Sequence, residues 1–159
     1  MRRGRRAFAS TRSPMVRYRN CAMRSHSPCE RAGSRLARVA ERREILVVDD
    51  DEDTRMVLQD LLELNGFAVR TSPDARRAID AARAAPPALI LVDYFMPDAD
   101  GAWVVEQLRS AGLGQVPVVL TTGSNEGRQQ AERLGVRSME KPFDISRLLE
   151  LVRSLVPGA

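Results

Sequence analysis

The sequence predicts an α/β protein built on one five-stranded parallel sheet, doubly wound, with helices on both faces. Three observations lead there. Five short segments read as strands, the first, third and fourth of them rich in Val, Ile and Leu. Each is followed by a segment that reads as a helix, with an apolar stripe at helical spacing in the first and last and a polar composition in the fourth. The joins are only a few residues long, and regular alternation of strand and helix with short joins gives right-handed crossovers in a parallel sheet.

Taken in order, Ile45-Leu46-Val47-Val48 is the first strand and ends in acids. Met56, Leu58, Leu61, Leu62 and Leu64 form a helical stripe, with Asp53 as the expected N-cap and Gly66 as the stop. Phe67-Ala68-Val69 is the second strand. Ser72-Pro73-Asp74 starts a helix that runs to about Ala84 and is ended by Pro86-Pro87. Ala88-Leu89-Ile90-Leu91-Val92 is the third strand, followed by a loop to Gly101 and a helix bearing Trp103, Val104, Val105 and Leu108. Pro117-Val118-Val119-Leu120-Thr121 is the fourth strand, and a polar helix covers about Asn125–Leu134. A short fifth strand lies near Val136–Glu140. Asp144 caps a last helix with Ile145, Leu148, Leu149, Val152 and Leu155. No internal repeat and no second core-forming pattern is seen.

The chain has 159 residues, 43% hydrophobic and 29% charged, with a net charge of +4. That charge is divided unevenly. Residues 1–41 carry 11 Arg against Glu30 and Glu41, a net of +9, whereas residues 42–159 carry 14 basic and 19 acidic side chains, a net of −5. Basicity therefore belongs to the extension, and direct DNA binding by the folded domain is not expected. Residues 1–41 lack a core-forming pattern and are expected to be a disordered basic extension, with residues 42–159 as the folded domain. Transient helix is expected near Ser34–Val39. Three readings of the extension stand side by side. It is a non-functional extension with a misassigned start, since Met15 and Met23 are in frame, or an arm for an anionic surface, or a metal site from Cys21, His26 and Cys29 that lacks a fourth ligand. No apolar run is long enough to span a bilayer, no secretory signal is seen, and both cysteines fall in the extension, so a cytoplasmic location is expected.

The unusual polar residues fall at the carboxyl ends of the predicted strands, where open parallel sheets bind ligands. Asp49, Asp50 and Asp51 follow strand one, and Asp93 follows strand three. Thr121 and Thr122 close strand four, while Lys141 follows strand five. Clustered carboxylates repel one another unless a cation neutralises them, and hard oxygen ligands around one small site suit Mg²⁺. An ammonium and a hydroxyl opposite such a metal can hold phosphoryl oxygens, and phosphoryl transfer needs little beyond positioning and charge compensation. Lys141 is the only lysine in a chain with 24 arginines, which argues that a compact point charge is wanted there.

Four segments carry a family resemblance. Ile45-Leu46-Val47-Val48-Asp49-Asp50-Asp51, the run from Leu91 to Gly101 through Asp93-Tyr94-Phe95-Met96-Pro97, Pro117-Val118-Val119-Leu120-Thr121-Thr122-Gly123 and Glu140-Lys141-Pro142-Phe143 resemble the motifs of two-component response-regulator receiver domains. The resemblance covers about residues 44–156. It implies a flavodoxin-like (βα)5 sandwich. It makes Asp93 the phospho-acceptor, Asp49, Asp50, Asp93 and the Phe95 carbonyl the Mg²⁺ ligands, and Thr122 the switch hydroxyl. Lys141 becomes the partner of the phosphoryl group, and Pro142 is expected after a cis peptide bond. The implied function is a stand-alone phosphorelay receiver that is not an enzyme on a separate substrate but catalyses its own phosphotransfer and slow dephosphorylation. The implied partners are a histidine kinase or histidine phosphotransfer protein as donor and a downstream protein as target.

The sequence departs from the family pattern in three places. Ser138 stands three residues before the lysine, where many receivers carry a switch aromatic. The stretch from Thr122 to Lys141 is short. Phe95 is large and apolar where a small or polar residue is common. A pseudo-receiver or scaffold is the alternative function, opposed by the complete Asp49, Asp50, Asp93, Thr122 and Lys141 set. A phosphatase resembling the haloacid-dehalogenase family would need a general acid two residues after Asp93, and Phe95 cannot serve.

Overall fold

A computed structural model describes residues 44–156. The expectations placed on residues 1–41, namely disorder, the helical stretch and the Cys21/His26/Cys29 site, lie outside the described residues. Five strands, β1 (Glu44–Val48), β2 (Ala68–Ser72), β3 (Leu89–Asp93), β4 (Val118–Thr122) and β5 (Arg137–Glu140), form one sheet in the order β2-β1-β3-β4-β5. All four pairings are parallel. Five helices alternate with the strands: α1 (Glu52–Leu64), α2 (Ala75–Ala84), α3 (Gly101–Ser110), α4 (Asn125–Leu134) and α5 (Ile145–Leu155). The doubly wound flavodoxin-like sandwich is thus present.

Side chains alternate across the central strands, and this builds two cores. Leu46, Val48, Ile90, Val92, Val118 and Leu120 face α2, α3 and α4 through Ala78, Ile79, Val104, Leu108 and Ala131. Ile45, Val47, Leu89, Leu91 and Val119 face α1 and α5 through Leu58, Leu62, Leu148 and Val152. Burial of each such aliphatic side chain contributes about 1.5–3 kcal/mol, so both faces of β1, β3 and β4 are anchored and their register is fixed. Among the described residues no helix is long and apolar enough to cross a membrane.

Two local expectations are corrected. The N-cap of α1 is Asp51, not Asp53. The Asp51 backbone is extended (φ −76°, ψ 116°), and its carboxylate accepts from the Asp53 N–H at 3.0 Å and from the Thr54 hydroxyl at 2.8 Å. Asp53 lies one residue inside the helix, where it complements the dipole instead. The second strand begins at Ala68 rather than Phe67 and continues to Ser72, because β2 pairs with β1 along its whole length, Glu44 with Ala68 through Val48 with Ser72. The expected cap at Asp144 is observed, and Gly66 stops α1 at φ +86°.

The strand order reverses between β1 and β3. The chain leaves β1 toward β2 and returns on the other side, so the connections at the carboxyl ends of β1 and β3 diverge and open a crevice. Asp49 and Asp93 lie at the mouth of that crevice.

Candidate functional site

The carboxyl end of β1 carries Asp49, 1% exposed, and beside it the exposed Asp50. The end of β3 carries Asp93, 8% exposed. Carboxylate oxygens of Asp49, Asp50 and Asp93 all lie within 4.8 Å of one another. Lys141, directly after β5, sends its ammonium between two of them. Nζ is 2.7 Å from Asp49 Oδ2 and 2.9 Å from Asp93 Oδ1. The following Lys141–Pro142 peptide bond is cis, as expected.

Electrostatics follow from this packing. Burial raises the Asp93 pKa above the ordinary carboxylate value, with the Asp49 charge adding to the rise and Lys141 opposing it. Burial pulls the Lys141 ammonium down, but its bonds to Asp49 and Asp93 outweigh that and raise its pKa. The cluster therefore contains one cation against three carboxylates, an excess of negative charge that a bound divalent ion would offset. Hard oxygen donors at this spacing fit Mg²⁺.

Thr122 ends β4 and is 1% exposed. Its Oγ1 accepts from the Ser124 N–H at 3.1 Å and shares a hydrogen bond with Ser124 Oγ at 3.2 Å. Ser124 Oγ in turn accepts from the Gly127 N–H at 3.1 Å and caps α4. Thr121 pairs with Asp93 across the β3–β4 ladder, which leaves Thr122 one residue further toward the loop. Phe95 is 54% exposed on the loop after β3, with its ring edge-on to Tyr94 at 4.7 Å. The structure thus brings Asp49, Asp50, Asp93 and Lys141 together and sets Thr122 and Phe95 in the loops that follow the neighbouring strand ends. Ser138 is exposed on β5. It lines a surface cleft of about 600 Å³, with Arg128, Met139, Glu140 and Arg147 among its other walls, and no site carboxylate reaches that cleft.

Several contributing residues were not singled out from the sequence. Arg55, one turn into α1, donates from its guanidinium to the Asp49 carbonyl at 2.6 Å and fixes the β1–α1 turn. A Cβ on Gly101 would stand 2.8 Å from the Asp93 carbonyl oxygen and 2.8 Å from Leu120 Cδ2, so only glycine lets α3 start this close to the acceptor. A Cβ on Gly127 would stand 2.3 Å from Thr122 Oγ1 and 2.7 Å from its Cβ. The one signal in the sequence was a glycine inside a helix, where alanine is ordinarily about 1 kcal/mol better.

That clash reverses the helix-propensity rule. Gly127→Ala is expected to destabilise the fold by about 1–3 kcal/mol through overpacking against β4. Gly123→Ala, whose Cβ would meet nothing nearer than the Lys141 carbonyl at 3.9 Å, is expected to be close to neutral. Urea unfolding of both variants checks this, and equal stabilities would contradict the close approach.

Comparison with known proteins agrees with this fold. The family model described as the response regulator receiver domain matches residues 45–153. The response regulator MprA of Mycolicibacterium vanbaalenii is 34% identical over 115 residues, which cover 70% of this chain and 49% of that protein. The chain thus spans about half the length of that relative. An uncharacterised 14.6 kDa protein of Leptolyngbya boryana is 36% identical over 69% of this chain and 87% of its own length. Among solved structures, chemotaxis protein CheY4 of Vibrio cholerae matches with TM-score 0.64 at 27% identity, over 70% of this chain and 97% of that one. The receiver domain of sensor histidine kinase PA1611 from Pseudomonas aeruginosa PAO1, solved with a magnesium ion in its active-site cleft, matches in fold with TM-score 0.67 at 24% identity, over 72% of this chain and 97% of that one.

Proposed function

The chain belongs to the response regulator receiver family, and on that premise we propose that it accepts a phosphoryl group on Asp93 in a Mg²⁺-dependent reaction. Receiver domains take part in two-component signalling, bind Mg²⁺ and catalyse their own phosphorylation and dephosphorylation. The observation that carries the reading for these particular residues is the Lys141 ammonium, held 2.7 Å from Asp49 and 2.9 Å from Asp93 beside a three-carboxylate cluster.

The chemistry divides among the residues as follows. Asp93 is the nucleophile. One of its carboxylate oxygens forms a bond to phosphorus as the bond to the donor breaks, and the donor imidazole of a phosphohistidine leaves with the electron pair. Asp49, Asp50, Asp93 and the Phe95 carbonyl would hold Mg²⁺, which would supply charge neutralisation at the phosphoryl oxygens. Lys141 releases its contact with the ionised Asp93 oxygen and takes up a phosphoryl oxygen, and the Thr122 hydroxyl donates to another. The donor is a histidine kinase or histidine phosphotransfer protein, the setting is the cytoplasm, and the output is a contact with a downstream protein. Acetyl phosphate with Mg²⁺, followed by intact-mass measurement, tests the reading. Labelling at one site that is lost on chelation supports it, and no labelling would return the chain to the pseudo-receiver alternative.

Phe95 bears on the lifetime of the phosphorylated form. An aspartyl phosphate is hydrolysed when water reaches phosphorus in line with the leaving Asp93 oxygen. A half-exposed apolar ring two residues from the acceptor cannot orient that water and shields the approach. Phe95→Asn is expected to shorten the phosphorylated lifetime several-fold, read as decay after donor removal. Equal or slower decay in the variant would show that Phe95 only packs against Tyr94.

A further inference from the structure

Ser138 leaves no ring on β5 to respond to the state of Asp93, yet another aromatic stands directly beside the acceptor. Tyr94 follows Asp93 and is 3% exposed. Its hydroxyl donates to Glu126 Oε1 at 3.3 Å, in the first turn of α4. The Tyr94 backbone is fixed on both sides, its N–H bonded to the Thr121 carbonyl at 2.9 Å and its carbonyl accepting from the Gly101 N–H at 2.9 Å.

The same turn of α4 is held a second time, from β4. Of the Thr122 atoms, Oγ1 lies nearest the position a Gly127 Cβ would take, so the hydroxyl points at α4, where Ser124 N–H and Oγ engage it. Ser124, Glu126 and Gly127 fall within four residues of one another in one capped helical turn. Swinging the Thr122 hydroxyl toward a phosphoryl group on Asp93 gives up its bonds to Ser124 and unseats the turn on the β4 side, and the Tyr94–Glu126 bond resists from the β3 side.

We propose that Tyr94 and Glu126 are positioning residues which hold the first turn of α4 in its resting seat and so set how readily Asp93 takes a phosphoryl group. This rests on the reading of Asp93 as acceptor and Thr122 as phosphoryl ligand. A bond made only in the resting state opposes the modified state by its own free energy, and removing it favours the modified state by the same amount. The link runs from the residue beside the acceptor to α4 and bypasses position 138 entirely.

Trifluoroberyllate with Mg²⁺ mimics a phosphoryl group on a carboxylate and binds reversibly, so its affinity reads this coupling directly. Calorimetric titrations of the full chain would compare wild type, Tyr94→Phe, Glu126→Ala and the double variant, with thermal melts alongside. Tyr94→Phe keeps the buried ring, and Glu126 is exposed, so folding is retained in at least the second variant. Each single variant is expected to bind the mimic about three- to tenfold more tightly, the scale of one partly solvated hydrogen bond to a carboxylate. The double variant should gain no more than either single one, because both remove the same bond. A merely structural role would lower the melting temperature without tightening the complex. Unchanged or weaker binding in both single variants, or gains that add, would overturn the proposal while leaving Asp93 as acceptor. Failure of the wild type both to bind the mimic and to be labelled by acetyl phosphate would overturn the acceptor reading, and the proposal with it.

Discussion

Asp93→Asn is expected to give a folded protein that takes up no phosphoryl group. The substitution changes almost no volume at a position that is nearly buried at the end of β3, so the cores on both faces of the sheet are untouched. It removes the nucleophile, because an amide oxygen has neither the charge nor the basicity of a carboxylate. Intact mass after exposure to acetyl phosphate and Mg²⁺ reads the result, and stoichiometric labelling of the Asn variant would move the acceptor to Asp49 or Asp50. A second outcome follows from the raised pKa of Asp93. A carboxyl group whose folded pKa lies above its unfolded value of about 3.9 binds its proton better in the folded state. Its contribution to stability is complete below the unfolded value and is lost as pH rises through the folded one. At neutral pH without metal, ionised Asp93 is thus a net cost, mainly of burial, and the uncharged Asn relieves it. The variant should melt higher than wild type in metal-free buffer at neutral pH, and the gap should narrow as pH falls into the range where Asp93 is protonated.

Much of this was legible in the sequence, for identifiable reasons. Strands buried on both faces must be largely apolar, so β1, β3 and β4 stood out as Ile45–Val48, Ala88–Val92 and Pro117–Thr121, each within a residue or so of the observed bounds. A parallel sheet binds at its carboxyl ends, so Asp49, Asp93 and Lys141 could be assigned to one crevice before any distance was known. The edge strands were less sharply bounded. β2 carries a half-buried Arg70 and an exposed Thr71, and its end at Ser72 is set by pairing with Val48 rather than by composition. Capping was harder still among consecutive acids. Asp51 and Asp53 have the same side chain, and only the backbone angle at Asp51 decides which one caps. What the sequence could not show was approach between distant backbones. Gly101 against Asp93 and Gly127 against Thr122 are contacts between elements, and a glycine code alone does not say what it makes room for. The Tyr94–Glu126 bond spans 32 residues and has no local pattern.

Asp50→Ala is expected to remove most of the affinity for Mg²⁺ and, without metal, to raise rather than lower stability. Asp50 is the exposed member of the three-carboxylate cluster, so its side chain contributes little packing and its loss opens no cavity in either core. Lys141 is engaged with Asp49 and Asp93 and makes no bond to Asp50, so Asp50 is the one carboxylate of the three whose charge that ammonium does not directly offset. Removing it relieves repulsion in the apo state and deletes one hard oxygen ligand from the bound state. With Mg²⁺ at ten times its dissociation constant, the wild type gains about 1.4 kcal/mol from binding to the folded form alone. The variant, with affinity reduced at least about tenfold for one lost charged ligand, keeps at most a few tenths of that. Melting curves taken with and without Mg²⁺ should therefore cross over. The variant is more stable than wild type in chelator, and wild type recovers or overtakes it as metal is added. Calorimetry supplies the affinities independently. An Asp50→Ala protein with wild-type Mg²⁺ affinity and the same metal-dependent rise in melting temperature would place the ion elsewhere, and the three carboxylates would then be an acidic cluster that Lys141 neutralises in part.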